Sequence, residues 1–217
     1  MKKTYEYILF DLDGTLTDSG PGIMNAFSYA IRNMGGPPMT PEQLRHFAGP
    51  PLKVTFGQTL GYSPEDAEKA IGFYREYYNE MGGVYENEVY SGIRELLTEL
   101  KNAGKHLMVA TSKGVHGTTT VLDHFDLRRY FDFVSAAPNQ DQAQKTERIR
   151  CALEQSGITD LSLAVMIGDR ENDISAAKEI GIDSIGVLYG YGDQEELMSA
   201  GATYLAENAE TVRDLLL

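Results

Sequence analysis

Asp11 and Asp13 stand two apart behind an apolar run, Ile8-Leu9-Phe10, with Gly14 and Thr15 directly after them. In an extended chain alternate residues share a face, so both acids would point to one side. Gly14 marks the turn at which the strand ends. Two acids closing a buried strand are costly unless a positive group neutralises them. Hard cations such as Mg²⁺ are held by one or two carboxylates together with phosphate oxygens of a substrate. Taken alone, the residues also fit a surface Asp-x-Asp-Gly turn with no ligand.

A second acidic pair, Asp169 and Asp173, follows Gly168 behind the apolar run 163–167. A helix beginning between them would bring the two, four apart, to one side. As first-turn acids they would also suit the positive end of a helix dipole. Thr111, Ser112 and Lys113 follow the apolar stretch 107–110. A hydroxyl and main-chain N–H groups at a strand-to-helix turn can hold phosphate oxygens, and Thr or Ser there can equally cap the helix. Lys145 opens the segment carrying Ile149 and Leu153. It is either a fixed cation facing a dianionic ligand or a solvated surface lysine.

The elements that must position these residues follow from periodicity. Apolar strands are expected at 5–10, 107–110, 131–134, 163–167 and 184–188, alternating with helices after residue 85. That alternation predicts an α/β fold, a Rossmann-like parallel sheet core covered by helices on both faces. Ligands of such sheets lie beyond the carboxyl ends of strands near a topological switch point. Asp11, Thr111 and Asp169 each close a predicted strand. Residues 18–84 read differently. Ser19-Gly20-Pro21, Thr40-Pro41-Glu42-Gln43 and Ser63-Pro64-Glu65-Asp66 are helix starts, and no strand is expected between them. The expected division is therefore a core of 1–17 and 85–217 with an inserted α-helical cap at 18–84.

Asp11-Leu-Asp-Gly-Thr-Leu16 resembles the first motif of the haloacid dehalogenase (HAD) superfamily. Gly168-Asp169-Arg-Glu-Asn-Asp173 resembles its fourth motif, Thr111 its second and Lys145 its third. Ser112-Lys113-Gly114 departs from the Asn-Lys-Pro common after the second motif, and Lys145-Thr-Glu-Arg lacks the prolines common in the third. The placement of the helical insert is similar to the C1-cap subfamily, which contains phosphoglycolate phosphatases, β-phosphoglucomutases and small nucleotidases.

The resemblance implies Mg²⁺-dependent hydrolysis of small phosphate monoesters, with a phosphoglycolate-phosphatase-like enzyme as the leading expectation. Asp11 would be the nucleophile, forming an aspartyl-phosphate, and Asp13 the acid and then the base. Mg²⁺ would be held by Asp11, the Asp13 carbonyl, Asp169 and Asp173. Thr111 and Lys145 would hold the phosphoryl group, with Gly14, Thr15 and Ser112 as further substrate contacts. In the insert, the segment His46 to Lys53 contains Gly49-Pro50-Pro51 and is the expected loop that reads the leaving group, through Gly49 and Lys53. A 5′-nucleotidase, a sugar-phosphate mutase and a non-catalytic binding module are the alternatives.

Composition narrows the partners. The 217 residues carry a formal charge of −13, which argues against a nucleic acid polymer as partner while leaving room for a small phosphorylated metabolite. No apolar run approaches the roughly 20 residues of a membrane span, and the N-terminus lacks signal-peptide features. A single cysteine, Cys151, fits a reducing compartment, so a cytoplasmic location is expected. A monomer or homodimer is expected.

Overall fold

The computed structural model describes residues 3–138 and 144–217. Residues 139–143, before Lys145, lie outside the described residues. The chain divides into two compact units, 1–17 with 89–217, and 18–88. No helix among the described residues is long and apolar enough to cross a membrane.

The first unit is built on β1 (Tyr7–Phe10), flanked in parallel by β4 (His106–Gly114) on one side and β6 (Ala164–Gly168) on the other. Adding β5 (Phe133–Ala137), β7 (Asp183–Val187) and β8 (Tyr204–Ala206) gives a six-stranded sheet in the order β5-β4-β1-β6-β7-β8. Every neighbouring pair is parallel. Two-residue strands β2 (Thr17–Asp18) and β3 (Glu88–Val89) pair with each other, so Asp18 belongs to a strand that the helical reading of 18–84 did not contain.

The crossovers are helical, with α4 (Ile93–Asn102), α5 (Val115–His124), α6 (Lys145–Ser156), α7 (Glu171–Ile180) and α8 (Gln194–Ala200), and α9 (Ala209–Leu216) follows the last strand. Leu9, Met108 and Met166 project from three adjacent strands onto Ile149, Ala152 and Ala177 of α6 and α7. Ile8 and Phe10, facing the other way, are equally buried. A strand apolar on both faces can lie only in the middle of a covered sheet, which is why β1 is central and its carboxyl end falls at the switch point.

Two boundaries differ from those read in the sequence. The strand at 107–110 continues to Gly114, with its register broken between Ala110 and Gly114 before Gly114 pairs with Ala137. Thr111 thus lies inside an irregular strand, and Gly114, not Thr111, precedes α5. The strand expected at 131–134 runs from Phe133 to Ala137, because Arg128–Tyr130 form a 3₁₀ turn that delays it.

The second unit contains α1 (Gly20–Asn33), α2 (Pro41–Arg45), a π-helical stretch Val54–Thr59, and α3 (Pro64–Arg75) continued by a π-helical turn Glu76–Glu80. Thr40 and Gln43 form a reciprocal capping box, and Ser63 caps α3 through the Asp66 N–H. Pro21 sits in the first turn of α1, but the Ser19 side chain makes no cap hydrogen bond. Phe27 anchors the core of this unit, its ring centroid 5.1, 5.2 and 4.9 Å from those of Phe47, Phe56 and Tyr74.

Candidate active site

Asp11 follows β1 directly, and its N–H donates to the Ile167 carbonyl of β6 at 2.9 Å. The Leu12 carbonyl then accepts from the N–H groups of Thr15, Leu16 and Thr17, closing a tight turn. Gly14 has φ +83° in that turn, and a Cβ there would stand 2.2 Å from Asp169 Oδ2. Only glycine meets both conditions. Thr15 is fully buried and donates its hydroxyl to Asp169 Oδ1 at 3.2 Å. Gly14 and Thr15, expected against substrate, therefore stand against a carboxylate.

Asp169 follows β6 and is fully buried. Its Oδ2 accepts the Tyr191 N–H at 2.9 Å, and a Cβ on Gly190 would lie 2.3 Å from Asp169 Cβ. The loop after β7, Gly190-Tyr191-Gly192, has no role in the sequence reading. The signal was present: two glycines around one residue mark a close backbone approach. Asp173 lies in the first turn of α7, where its Oδ2 accepts from the Arg170 N–H at 3.1 Å.

Lys145 is the first residue of α6 and its side chain is 6% exposed, so it is no surface lysine. Its Nζ lies 2.8 Å from Asp11 Oδ1 and 2.8 Å from Asp173 Oδ1, and it donates to the Ala110 carbonyl at 3.1 Å. One ammonium thus joins the end of β1 and Ala110 of β4 to the start of α7. Lys113 forms a second ion pair, its Nζ 3.0 Å from each Asp13 oxygen. The sequence offered Lys113 only as part of a departed motif. Thr111 is buried, and its Oγ1 accepts the Lys113 N–H at 3.2 Å. Ser112 is half-buried beside it.

Burial pushes the Asp11 carboxyl up to about 6; Lys145 opposes the rise and Asp173 adds to it. Burial likewise raises Asp169 well above the ordinary carboxylate range, helped by Asp173 and Asp11. Burial alone would lower Lys145, but the Asp11 and Asp173 carboxylates outweigh it and raise the ammonium pKa. The site is short of positive charge.

Asp11, Asp169 and Asp173 each offer an oxygen within 4.8 Å of the others, and all are buried. Asp11 Oδ1 and Asp173 Oδ1 meet the ammonium as ion pairs but accept no hydrogen bond. Buried, oxygen-only donors, two of whose oxygens meet only an ammonium, fit a hard divalent cation, so these residues can hold a metal ion. Asp13 contributes no side-chain oxygen to that cluster; its carboxylate faces Lys113. Gly49 and Lys53 belong to the helical unit. There Gly49 has φ +111°, and Lys53 meets Glu68 at 3.2 Å in an exposed pair of the kind that contributes little.

A family model described as haloacid dehalogenase-like hydrolase matches residues 8–187, from β1 through β7. The chain belongs to the haloacid dehalogenase-like hydrolases. As such it is similar to a 5′-nucleotidase of Pseudomonas aeruginosa, 37% identical over 98% of this chain and 96% of that one. It is 35% identical to the tyrosine-protein kinase PtkA of Mycobacterium tuberculosis, over 97% of this chain and 71% of the kinase. A phosphoglycolate phosphatase of Vibrio cholerae is 28% identical over 99% and 98% of the two chains. The crystal structure of a predicted phosphatase from Clostridium acetobutylicum superposes with a TM-score of 0.91 at 41% identity, covering 97% of each chain. This haloacid dehalogenase-like hydrolase is a phosphoric monoester hydrolase.

Proposed function

We propose that this phosphatase hydrolyses small phosphorylated metabolites with Mg²⁺ as its ion, Asp11 as nucleophile and Asp13 as the proton-transfer group. One observation carries the reading. Asp11, Lys145 and Asp173 form one ion-paired cluster, with Asp169 within metal-sharing distance, at the carboxyl ends of adjacent central strands.

Asp11, Asp169 and Asp173, with the Asp13 carbonyl, would hold Mg²⁺. When bound, the ion supplies charge that lets an anionic nucleophile approach a phosphate. Asp11 attacks phosphorus in line. The P–O bond to the alcohol breaks, and Asp13 gives the leaving oxygen its proton. The product is an aspartyl-phosphate on Asp11. Asp13, now ionised, takes a proton from water; the hydroxide attacks phosphorus and releases Asp11 and inorganic phosphate. Lys145 and the Thr111 hydroxyl hold phosphoryl oxygens through both steps, with Ser112 as a further contact. The helical unit acts as a cap that reads the leaving group through Gly49 and Lys53. The protein works in the cytoplasm, as a monomer or homodimer.

Nucleoside 5′-monophosphates head the substrate class, because the 5′-nucleotidase relative is 37% identical and the phosphoglycolate phosphatase 28%. The test is phosphate release with and without Mg²⁺ from 5′-nucleotides, phosphoglycolate, sugar phosphates and an aryl phosphate. Mg²⁺-dependent release lost in Asp11→Asn is expected, with 5′-nucleotides preferred. Release from no member of the panel by a folded, Mg²⁺-loaded protein would overturn the proposal.

The similarity to PtkA supports a second reading, in which a hydroxyl other than water accepts the phosphoryl group. Transfer of label from the γ-phosphate of ATP to a protein tyrosine, lost in Asp11→Asn, would establish it. Label found only in inorganic phosphate would exclude it.

A further inference from the structure

The β5 edge of the sheet carries a cavity of about 330 Å³ walled by α5, β5 and α6. None of the residues assigned above to the active site lines it. Val115, Leu122 and Phe133 supply apolar wall, and two arginines, Arg128 and Arg148, border the same space with Ser135.

The arginines are unusual in their partners. In a chain with a formal charge of −13, a guanidinium readily finds a carboxylate. Here Arg128 donates to the Phe131 carbonyl at 2.6 Å and Arg148 to the Ala136 carbonyl at 2.9 Å. Neither is ion-paired with a carboxylate among the described residues; Asp123, which also borders the cavity, pairs with neither. Arg148 Nε and Ser135 Oγ are buried without a hydrogen-bond partner, and Ser135 is 2% exposed. Unsatisfied buried donors are destabilising, more so when charged. The wall thus holds two positive charges and unmet donors against one carboxylate, Asp123, that pairs with neither arginine.

We propose that this cavity binds a small organic anion, a phosphate or carboxylate group on a short apolar body. A guanidinium presents a planar fork that matches two oxygens of either group, and Ser135 adds a hydroxyl donor. The volume lies at the low end of small-molecule sites, which suits a metabolite and not a polymer. The occupant would rest on α6, which carries Lys145, and on α5, which is hydrogen-bonded to the Lys113 main chain. Lys145 begins α6, which presents Arg148 to the cavity. Thr118 of the α5 wall donates its hydroxyl to the Lys113 carbonyl at 3.4 Å.

Cys151, the single cysteine of the chain, lines the cavity and is half-buried, so it reports occupancy directly. The probe is phenylphosphonate, a dianion with an apolar ring and no ester to hydrolyse, added in chelator. Alkylation of Cys151 by iodoacetamide is followed by mass spectrometry. At ten times its Kd the probe is expected to slow alkylation about tenfold. Arg148→Gln and Arg128→Gln should abolish that protection, and Asp11→Asn should leave it intact. Calorimetric titration under the same conditions provides a second readout, with one binding event lost in either arginine variant. An alkylation rate indifferent to the probe together with no such event, or protection that persists in both arginine variants, would overturn the proposal.

Discussion

Lys113 and Asp13 lie 100 residues apart in the chain, and the Lys113 ammonium sits 3.0 Å from each oxygen of the Asp13 carboxylate. Both side chains are largely buried, at 9% and 15% exposure. The irregular continuation of β4 makes the pairing possible, because it carries the chain past Thr111 to Lys113 before α5 begins. Lys113 is therefore a positioning residue for Asp13. General acid–base catalysis is typically worth about 10²–10⁴ in rate, so Asp13→Asn should lose that much kcat. Lys113→Met should lose about one to two orders less, with KM little changed and partial recovery in Lys113→Arg. The double variant should be no slower than Asp13→Asn, since groups acting as a unit are not additive. Steady-state kinetics on the four proteins decides it, and additive losses would count against the pairing.

The raised Asp11 pKa has a stability consequence in metal-free protein. Between its ordinary value of 3.8 and about 6, the folded state keeps a proton that the unfolded state has released. Stability therefore falls as pH rises through that window. A shift of this size corresponds to roughly 3 kcal/mol. In chelator, Asp11→Asn should flatten the dependence and unfold at higher denaturant than wild type at pH 7. Mg²⁺ at a hundredfold its Kd should return about 2.7 kcal/mol to the wild type. Urea midpoints at several pH values measure all three; equal midpoints at pH 7 would show that Lys145 already compensates the buried charge.

Among the described residues, Lys145 is the one cation that contacts both Asp11 and Asp173. Lys145→Met would leave buried carboxylates facing one another, and loss of one partner of a buried pair costs about 3–5 kcal/mol. The variant should be strongly destabilised in chelator and regain part of the loss with Mg²⁺. A thermal melt with and without the ion reads the difference.

Gly14→Ala combines a left-handed φ of +83° with a Cβ 2.2 Å from Asp169 Oδ2. The backbone penalty alone is about 1–2 kcal/mol, and the clash displaces a carboxylate of the buried acidic cluster proposed to hold the ion. Mg²⁺ affinity, measured by titration calorimetry, should fall more than stability does. Gly35→Ala, where φ is +76° but nothing lies within 4 Å, should cost stability and leave Mg²⁺ affinity unchanged.

Phe27→Ala removes the ring shared by Phe47, Phe56 and Tyr74. Such truncations cost about 3–5 kcal/mol. Limited proteolysis should cleave within 18–88 before it cleaves the sheet unit, because the cavity opens in the smaller unit alone.

Much of this architecture was legible in the chain. The runs Ile8-Leu9-Phe10 and 163–167 are apolar without alternation, and that pattern places β1 and β6 inside a covered parallel sheet. The capping signals at Thr40 and Ser63 are local hydrogen bonds, and both form as read. Asp11, Asp13, Asp169 and Asp173 were legible because each acid follows a strand that must be buried. The reach of β4 beyond Ala110 was not, since Thr-Ser-Lys-Gly carries no apolar pattern and its pairing depends on β5.

Local pattern alone determined that Asp11 and Asp169 close buried strands, and hence that they lie on one edge of the sheet. Only the tertiary structure decided which charge meets which. Lys145 reaches Asp11 and Asp173, Lys113 reaches Asp13, and the Tyr191 N–H reaches Asp169. Periodicity encodes the face on which a residue lies. An ion pair between distant residues depends instead on how the strands are ordered and how far each extends, and that is set by packing across the whole sheet.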